Sequence, residues 1–190
     1  MPELWIIILI HQILFQGMFI TKNIVLGKKI KKQICGNNFE AKISIIYFSS
    51  LIIIAFIFSF YNISFGRLIL PGESIVTVAG LTLVILSLVI SAASLINLGD
   101  SWRIGVIEDQ KTEFVTSGIC RYTRNPYFLS YLLMFAAYTI LLQNIILLGP
   151  SIIAIFFVHN MILKEEKYLM SIHADAFTQY KNKVARYIII

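Results

Sequence analysis

The chain has 190 residues, 58% hydrophobic and only 14% charged. That balance excludes an ordinary soluble domain and points to an all-α integral membrane protein. The formal net charge of +6 calls for no nucleic-acid partner, because anionic lipid headgroups beside basic loops account for it.

Segment 4–20 is the first predicted span, polar for its kind with His11, Gln12 and Gln16. Its amino end, Met-Pro-Glu, lacks a basic residue and the lysines follow the apolar run, so a retained span is expected rather than a cleaved signal. Spans at 43–65 and 75–98 come next. The third carries Ala79-Gly80 and Ser91-Ala-Ala-Ser94, small residues that let neighbouring helices approach closely. Trp102 is expected as an aromatic at the membrane interface. Loop 99–125 is long and mixed in charge, and loops of that length are more often functional than merely connecting.

The run 127–163 contains no Asp, Glu, Lys or Arg. As one helix it would measure about 55 Å, against a bilayer core of about 30 Å. It must fold back, and Gln143-Asn144 is the expected place, giving spans 127–143 and 145–163. The prediction is a polytopic membrane protein with five transmembrane helices, the last two a helical hairpin. Beyond it, Leu169, Ile172, Ala176, Tyr180, Val184 and Tyr187 recur at three- and four-residue intervals. They predict a cytosolic C-terminal amphipathic helix that lies on lipid or covers a pocket. One integral-membrane domain is expected over 1–190, with 1–98 a three-helix scaffold and 99–190 the functional part.

Charge predicts the orientation. Of the 16 basic residues, only Arg67 falls outside loop 21–42, loop 99–125 and the tail. This places those three segments in the cytoplasm and the amino terminus outside, in an inner or plasma membrane. Cys35 and Cys120 both fall on the reducing side, without histidines at zinc spacing, so neither a disulfide nor a metal site is expected. The final residues, Arg-Tyr-Ile-Ile-Ile, carry no prenylation box.

The fold-back returns Glu165 and Glu166 to the face that holds Arg121 and Arg124. Each group has an ordinary explanation: the arginines are flanking charges, Asn125-Pro126 is a helix start, and adjacent glutamates on a continuing helix form a solvated pair. No dinucleotide fingerprint, phosphate loop or nucleophile elbow occurs.

Together these residues resemble a known family. Leu98-Gly-Asp-Ser-Trp102, Val115-Thr-Ser-Gly-Ile-Cys-Arg-Tyr-Thr-Arg-Asn-Pro126 and Glu165-Glu-Lys-Tyr-Leu169, followed by Tyr180, Val184 and Arg186, are similar in order and spacing to motifs of the isoprenylcysteine carboxyl methyltransferases and their phospholipid methyltransferase relatives. The resemblance covers about 95–187. It implies an S-adenosylmethionine-dependent methyltransferase whose cofactor contacts Thr112, Glu113, Phe114, Val115, Cys120, Asn125, Pro126, Tyr127, Phe128, Glu165 and Glu166. Arg124 would orient an acidic acceptor and Glu165 would face the donor's cation. Cys120 and Phe128 stand where the family has tyrosines, Asn125 where the carboxyl methyltransferases have histidine, and Met161 about where an arginine holds the acceptor. A prenylcysteine or another lipophilic carboxylate, thiol or amine is therefore open as acceptor. Two further readings share the helical outline: a sterol-reductase-type enzyme using a nicotinamide cofactor, and a non-catalytic lipid-binding protein.

Overall fold

The computed structural model describes residues 3–32, 34–36, 39–107, 110 and 112–187. Among them the protein is all-α, with five helices: α1 Leu4–Ile30, α2 Phe39–Phe60, α3 Glu73–Leu98, α4 Pro126–Leu142 and α5 Ile145–Lys183. Four are long and apolar enough to cross a membrane, while α4 is a shorter apolar helix of 17 residues. At about 25 Å it falls short of a bilayer core by itself.

Three boundaries depart from expectation. Helix α1 does not stop at residue 20 but continues through Lys22, Lys28 and Lys29 to Ile30, ending at a left-handed Lys31. Lysine is a good helix former, and cations in the last turn complement the helix dipole. Helix α2 ends at Phe60 instead of 65, where left-handed Asn62 turns the chain. The tail is helical, as expected, but joins α5 across a break instead of following a loop. It continues α5 to Lys183, interrupted at Ala174, whose φ of 31° leaves the helical region.

The turn between α4 and α5 is two residues long. Gln143 adopts a left-handed conformation, and Asn144 caps α5 by accepting from the Ile146 amide at 2.9 Å. Asn144 also donates to the Phe65 carbonyl at 2.9 Å. A Cβ on Gly66 would stand 2.9 Å from the Ile146 side chain, so this close approach requires glycine. On α3, a Cβ built on Gly80 lies 2.5 Å from Leu141, which is how that small residue lets α3 and α4 form the most extensive helix pair.

The polar residues of α1 face inward. His11 is buried, with Nδ1 2.6 Å from the Tyr138 hydroxyl and Nε2 2.8 Å from Ser87 Oγ. Ser87 donates to the Val84 carbonyl, so it accepts from His11 Nε2–H, leaving Nδ1 to accept from Tyr138. Gln12 donates to Tyr138 at 2.6 Å, and Gln16 donates to Gln12 at 3.3 Å. The network joins α1, α3 and α4 in a region where unpaired polar groups are costly. Around it, Ile8, Phe48, Met134, Ala154, Val158 and Ile162 form the core. Large apolar side chains such as Ile13, Ile46, Val78, Ile85 and Phe156 stay exposed on the outside, as expected when lipid is the solvent.

Candidate active site at the amino end of α4

A tight turn precedes α4. Gly118 has φ 57°, and any Cβ there would collide with the Asn97 amide. Asn97 donates to the Ser117 carbonyl at 2.8 Å and approaches Cys120 Sγ at 3.5 Å. Thus the Thr-Ser-Gly turn is docked on the end of α3. The Cys120 thiol is pushed up by burial, tempered by the Asn97 contact. It is a packed, protonated group.

The C-terminal segment is laced onto the same turn. Tyr180 donates to the Cys120 carbonyl at 2.6 Å, the Arg124 amide to the Ala185 carbonyl at 2.9 Å, and Thr123 and Asn125 to the Arg186 carbonyl. The tail thus packs against this turn, and none of its described residues beyond Leu169 lines the cavity that Glu165 faces.

The Glu165-Glu166 pair splits. Glu166 is buried and accepts from Arg124 Nη2 at 2.9 Å and Nε at 3.2 Å, and from Arg186 Nη2 at 2.8 Å and Nε at 3.0 Å. Desolvation would raise its carboxyl, but hydrogen bonds from Arg186 and Arg124 outweigh it and hold the group below the usual carboxylate range. Arg124 also donates through Nη1 to the carbonyls of Val184 at 2.6 Å and Lys181 at 3.1 Å. Its guanidinium is largely committed to Glu166 and to the carbonyls that end α5. Arg121 is exposed and takes no part.

Glu165, one residue earlier, lies about 100° round the helix and faces a cavity of about 170 Å³. It is half-buried, with its side chain in the cavity wall. Desolvation, with the adjacent Glu166 charge adding to it, pushes its carboxyl up to about 7. Among the described residues it has no ion-pair partner.

The cavity is lined by Thr112, Arg124, Asn125, Pro126, Tyr127, Phe128 and Glu165 of the predicted set. The other predicted residues lie outside it. Glu113 is exposed, Val115 is half-buried away from the cavity, and Phe114 stacks on His173 and packs against Phe177 and Tyr180. Cys120 and Glu166 face the turn and the arginines. Sequence reasoning missed Phe19 from α1, Ser44 and Phe48 from α2, and Arg103, Gln110 and Tyr168. A signal existed only for Tyr168, inside the Glu-Glu-Lys-Tyr-Leu motif. It donates to the carbonyls of Ile107 and Gln110, strapping the loop over the cavity. Trp102 is not an interfacial aromatic: it is 5% exposed, donates to Asn23 Oδ1 at 2.8 Å and packs edge-on against Tyr127. A buried indole needs that hydrogen-bond partner.

No curated protein matches the chain. The model of one family does, over residues 75–176, from the start of α3 to just past the break in α5. That stretch is more than half of the chain and holds the Gly118 turn, the amino end of α4 and the Glu165-Glu166 pair. The protein belongs to the phospholipid methyltransferase family.

Proposed function

We propose that the protein transfers a methyl group from S-adenosylmethionine to a lipophilic acceptor, at the cytosolic face of the membrane that it spans five times with its amino terminus outside. The observation that carries this reading is Glu165. A carboxylate that faces a cavity and has no cationic partner among the described residues calls for a cationic ligand. The donor's sulfonium and ammonium groups fit that requirement, and members of this family use this donor. When bound, it supplies an electrophilic methyl group.

The chain's own residues divide the work. Glu165 balances the donor's positive charge across the cavity. The free amides at the start of α4, after Asn125 and Pro126, favour a carboxylate. Thr112, Tyr127 and Phe128 shape the walls. Arg124 is a positioning residue: by clamping Glu166 to the end of α5 it sets the helix rotation that turns Glu165 into the cavity. Methyl transfer is an in-line displacement that needs mainly alignment and exclusion of water. Walls from the cytosolic loop and from α1, α2 and α4 let a water-borne donor and a membrane-borne acceptor share one chamber. The whole chain works as one domain, with 1–98 supplying both scaffold and part of the cavity wall.

Calorimetry with S-adenosylhomocysteine in detergent, and tritium transfer from labelled donor into membrane lipids or prenylcysteine analogues, test the reading. Absence of binding at millimolar ligand overturns it. Thermal stabilisation by a reduced nicotinamide dinucleotide in place of S-adenosylhomocysteine would put a reductase in its stead.

A further inference from the structure

Two hydroxyls in the cavity wall have no hydrogen-bond partner. Ser44 of α2 is 1% exposed and Tyr127 of α4 is 9% exposed. Both line the cavity, and neither Ser44 Oγ nor the Tyr127 hydroxyl is satisfied by the protein. The Tyr131 phenol is a neighbour of the Tyr127 hydroxyl but does not complete its hydrogen bonding. Buried hydroxyls are nearly always paired, so two orphans on the wall of one chamber ask for a ligand group to complete them.

The wall around them is uncharged. Phe19, Ile45, Phe48, Phe128, Tyr131 and Met161 surround it on the helical side. The cavity's two arginines do not serve that side. Arg124 is committed to Glu166, and Arg103 stands on the loop, held by the Asp100 and Trp102 carbonyls and Gln110. Among the described residues, a carboxylate acceptor would therefore meet hydroxyls but no free cation there. An ammonium would need a carboxylate to hold it, and among the described lining residues that is Glu165, which faces the donor's charge until transfer. The Tyr127 face is already taken, stacked with Phe19 at 6.1 Å and 15°. What remains is a nucleophile that is uncharged at neutral pH and tolerates an apolar, aromatic and thioether-lined wall. A thiol fits, since its pKa of about 8.5 leaves it mostly protonated and sulfur packs well against aromatic edges.

Resting on the methyltransferase reading above, we propose that the acceptor is a lipophilic thiol whose sulfur is received by the Ser44 and Tyr127 hydroxyls. The sulfur lone pair forms the new bond to the methyl carbon, the electron pair of the broken carbon–sulfur bond stays on the donor and cancels its positive charge, and the S–H proton passes to the Glu165 carboxylate, which that loss of charge leaves without a counter-cation. Hydroxyls donating to the acceptor sulfur stabilise the thiolate character that develops as this proton leaves.

The test uses the full chain in detergent with three probes of equal chain length: dodecanethiol, dodecylamine and dodecanoate. Affinity is read without donor, from quenching of Trp102, and transfer is read with tritiated donor. Dodecanethiol is expected to be methylated at least tenfold faster, in kcat/KM, than the other two. S44A and Y127F are each expected to weaken dodecanethiol about three- to tenfold, the worth of one hydrogen bond, and S44A, which lies outside the donor contacts, to leave S-adenosylhomocysteine affinity unchanged. Preference for dodecylamine or dodecanoate overturns the proposal, as do unchanged dodecanethiol affinities in both variants. Donor binding with no transfer to any probe also overturns it while leaving the cofactor reading intact. Failure to bind S-adenosylhomocysteine removes both.

Discussion

Arg124 and Glu166, 42 positions apart in the chain, are joined by two hydrogen bonds of 2.9 and 3.2 Å, with side chains only 8% and 9% exposed. Arg186 completes the arrangement from the other side of the carboxylate. This buried triad fastens the tail to the turn before α4, and it decides which glutamate is left for the cavity.

Breaking the triad from one side is expected to be costly. Glu166→Ala leaves two guanidiniums beside each other, and removal of one partner of a buried pair costs about 3–5 kcal/mol. Arg124→Ala should cost more than Arg186→Ala, because Arg124 also holds the carbonyls of Lys181 and Val184 while Arg186 is partly exposed. Thermal unfolding in detergent checks the order, and equal midpoints for the two arginine variants would contradict it.

The two glutamates are expected to titrate in opposite senses. Glu166 lies below its ordinary value, so its stabilisation is full above that value and lost as pH falls through the depressed one. Glu165 is raised to about 7, so its contribution is full below the ordinary carboxylate value and lost as pH rises toward 7. A cationic ligand reverses the second effect, because it needs the ionised form. Affinity for sinefungin, an amine-bearing donor analogue, should rise as pH increases through about 7 and become flat in Glu165→Gln. Calorimetry at several pH values measures this.

Gly118→Ala should disrupt the turn, combining a left-handed φ of 57° with a collision against Asn97. Strain at such a site is worth roughly 1–3 kcal/mol, and the misplaced start of α4 should weaken donor binding as well. The matched control is Gly17→Ala in α1, where a Cβ meets nothing within 4 Å. There a gain of about 0.5–1 kcal/mol is expected from lower backbone entropy in the unfolded chain. Paired melting curves separate the two.

Within the membrane, Tyr138→Phe removes the hydroxyl shared by His11 and Gln12. A loss of about 0.6–2 kcal/mol is expected, the range for interhelical hydrogen bonds in bilayers. His11→Leu should give a loss of the same order, and the double variant less than the sum, since both remove one network. Additive losses would show that the network does not couple α1 to α4.

The unbroken apolar run 127–163 demanded a fold-back, and the structure turns near its middle at Gln143-Asn144, with Gln143 left-handed and Asn144 capping α5. The Val-Thr-Ser-Gly and Asn-Pro motifs were legible for a similar reason: a positive φ and a helix start are local demands, met by neighbours in sequence. The small residues of α3 also announced their packing role, which Gly80 fulfils against Leu141.

The amino-acid sequence by itself determined that this is a membrane-embedded helical chain of the phospholipid methyltransferase family with its motifs around the start of α4. Apolar length, capping residues and motif order are properties of contiguous residues. Only the tertiary structure decided that Glu165 faces the cavity while Glu166 is bound by Arg124 and Arg186. Adjacent residues on a helix differ by about 100° in direction, and which direction is inward depends on how the tail is clamped. The same holds for Arg124, whose guanidinium could equally have faced a ligand until the α5 carbonyls came to meet it. The contributions of Phe19 and Ser44 belong to this second class. They come from helices without a motif, and packing alone brings them to the wall opposite the α4 start.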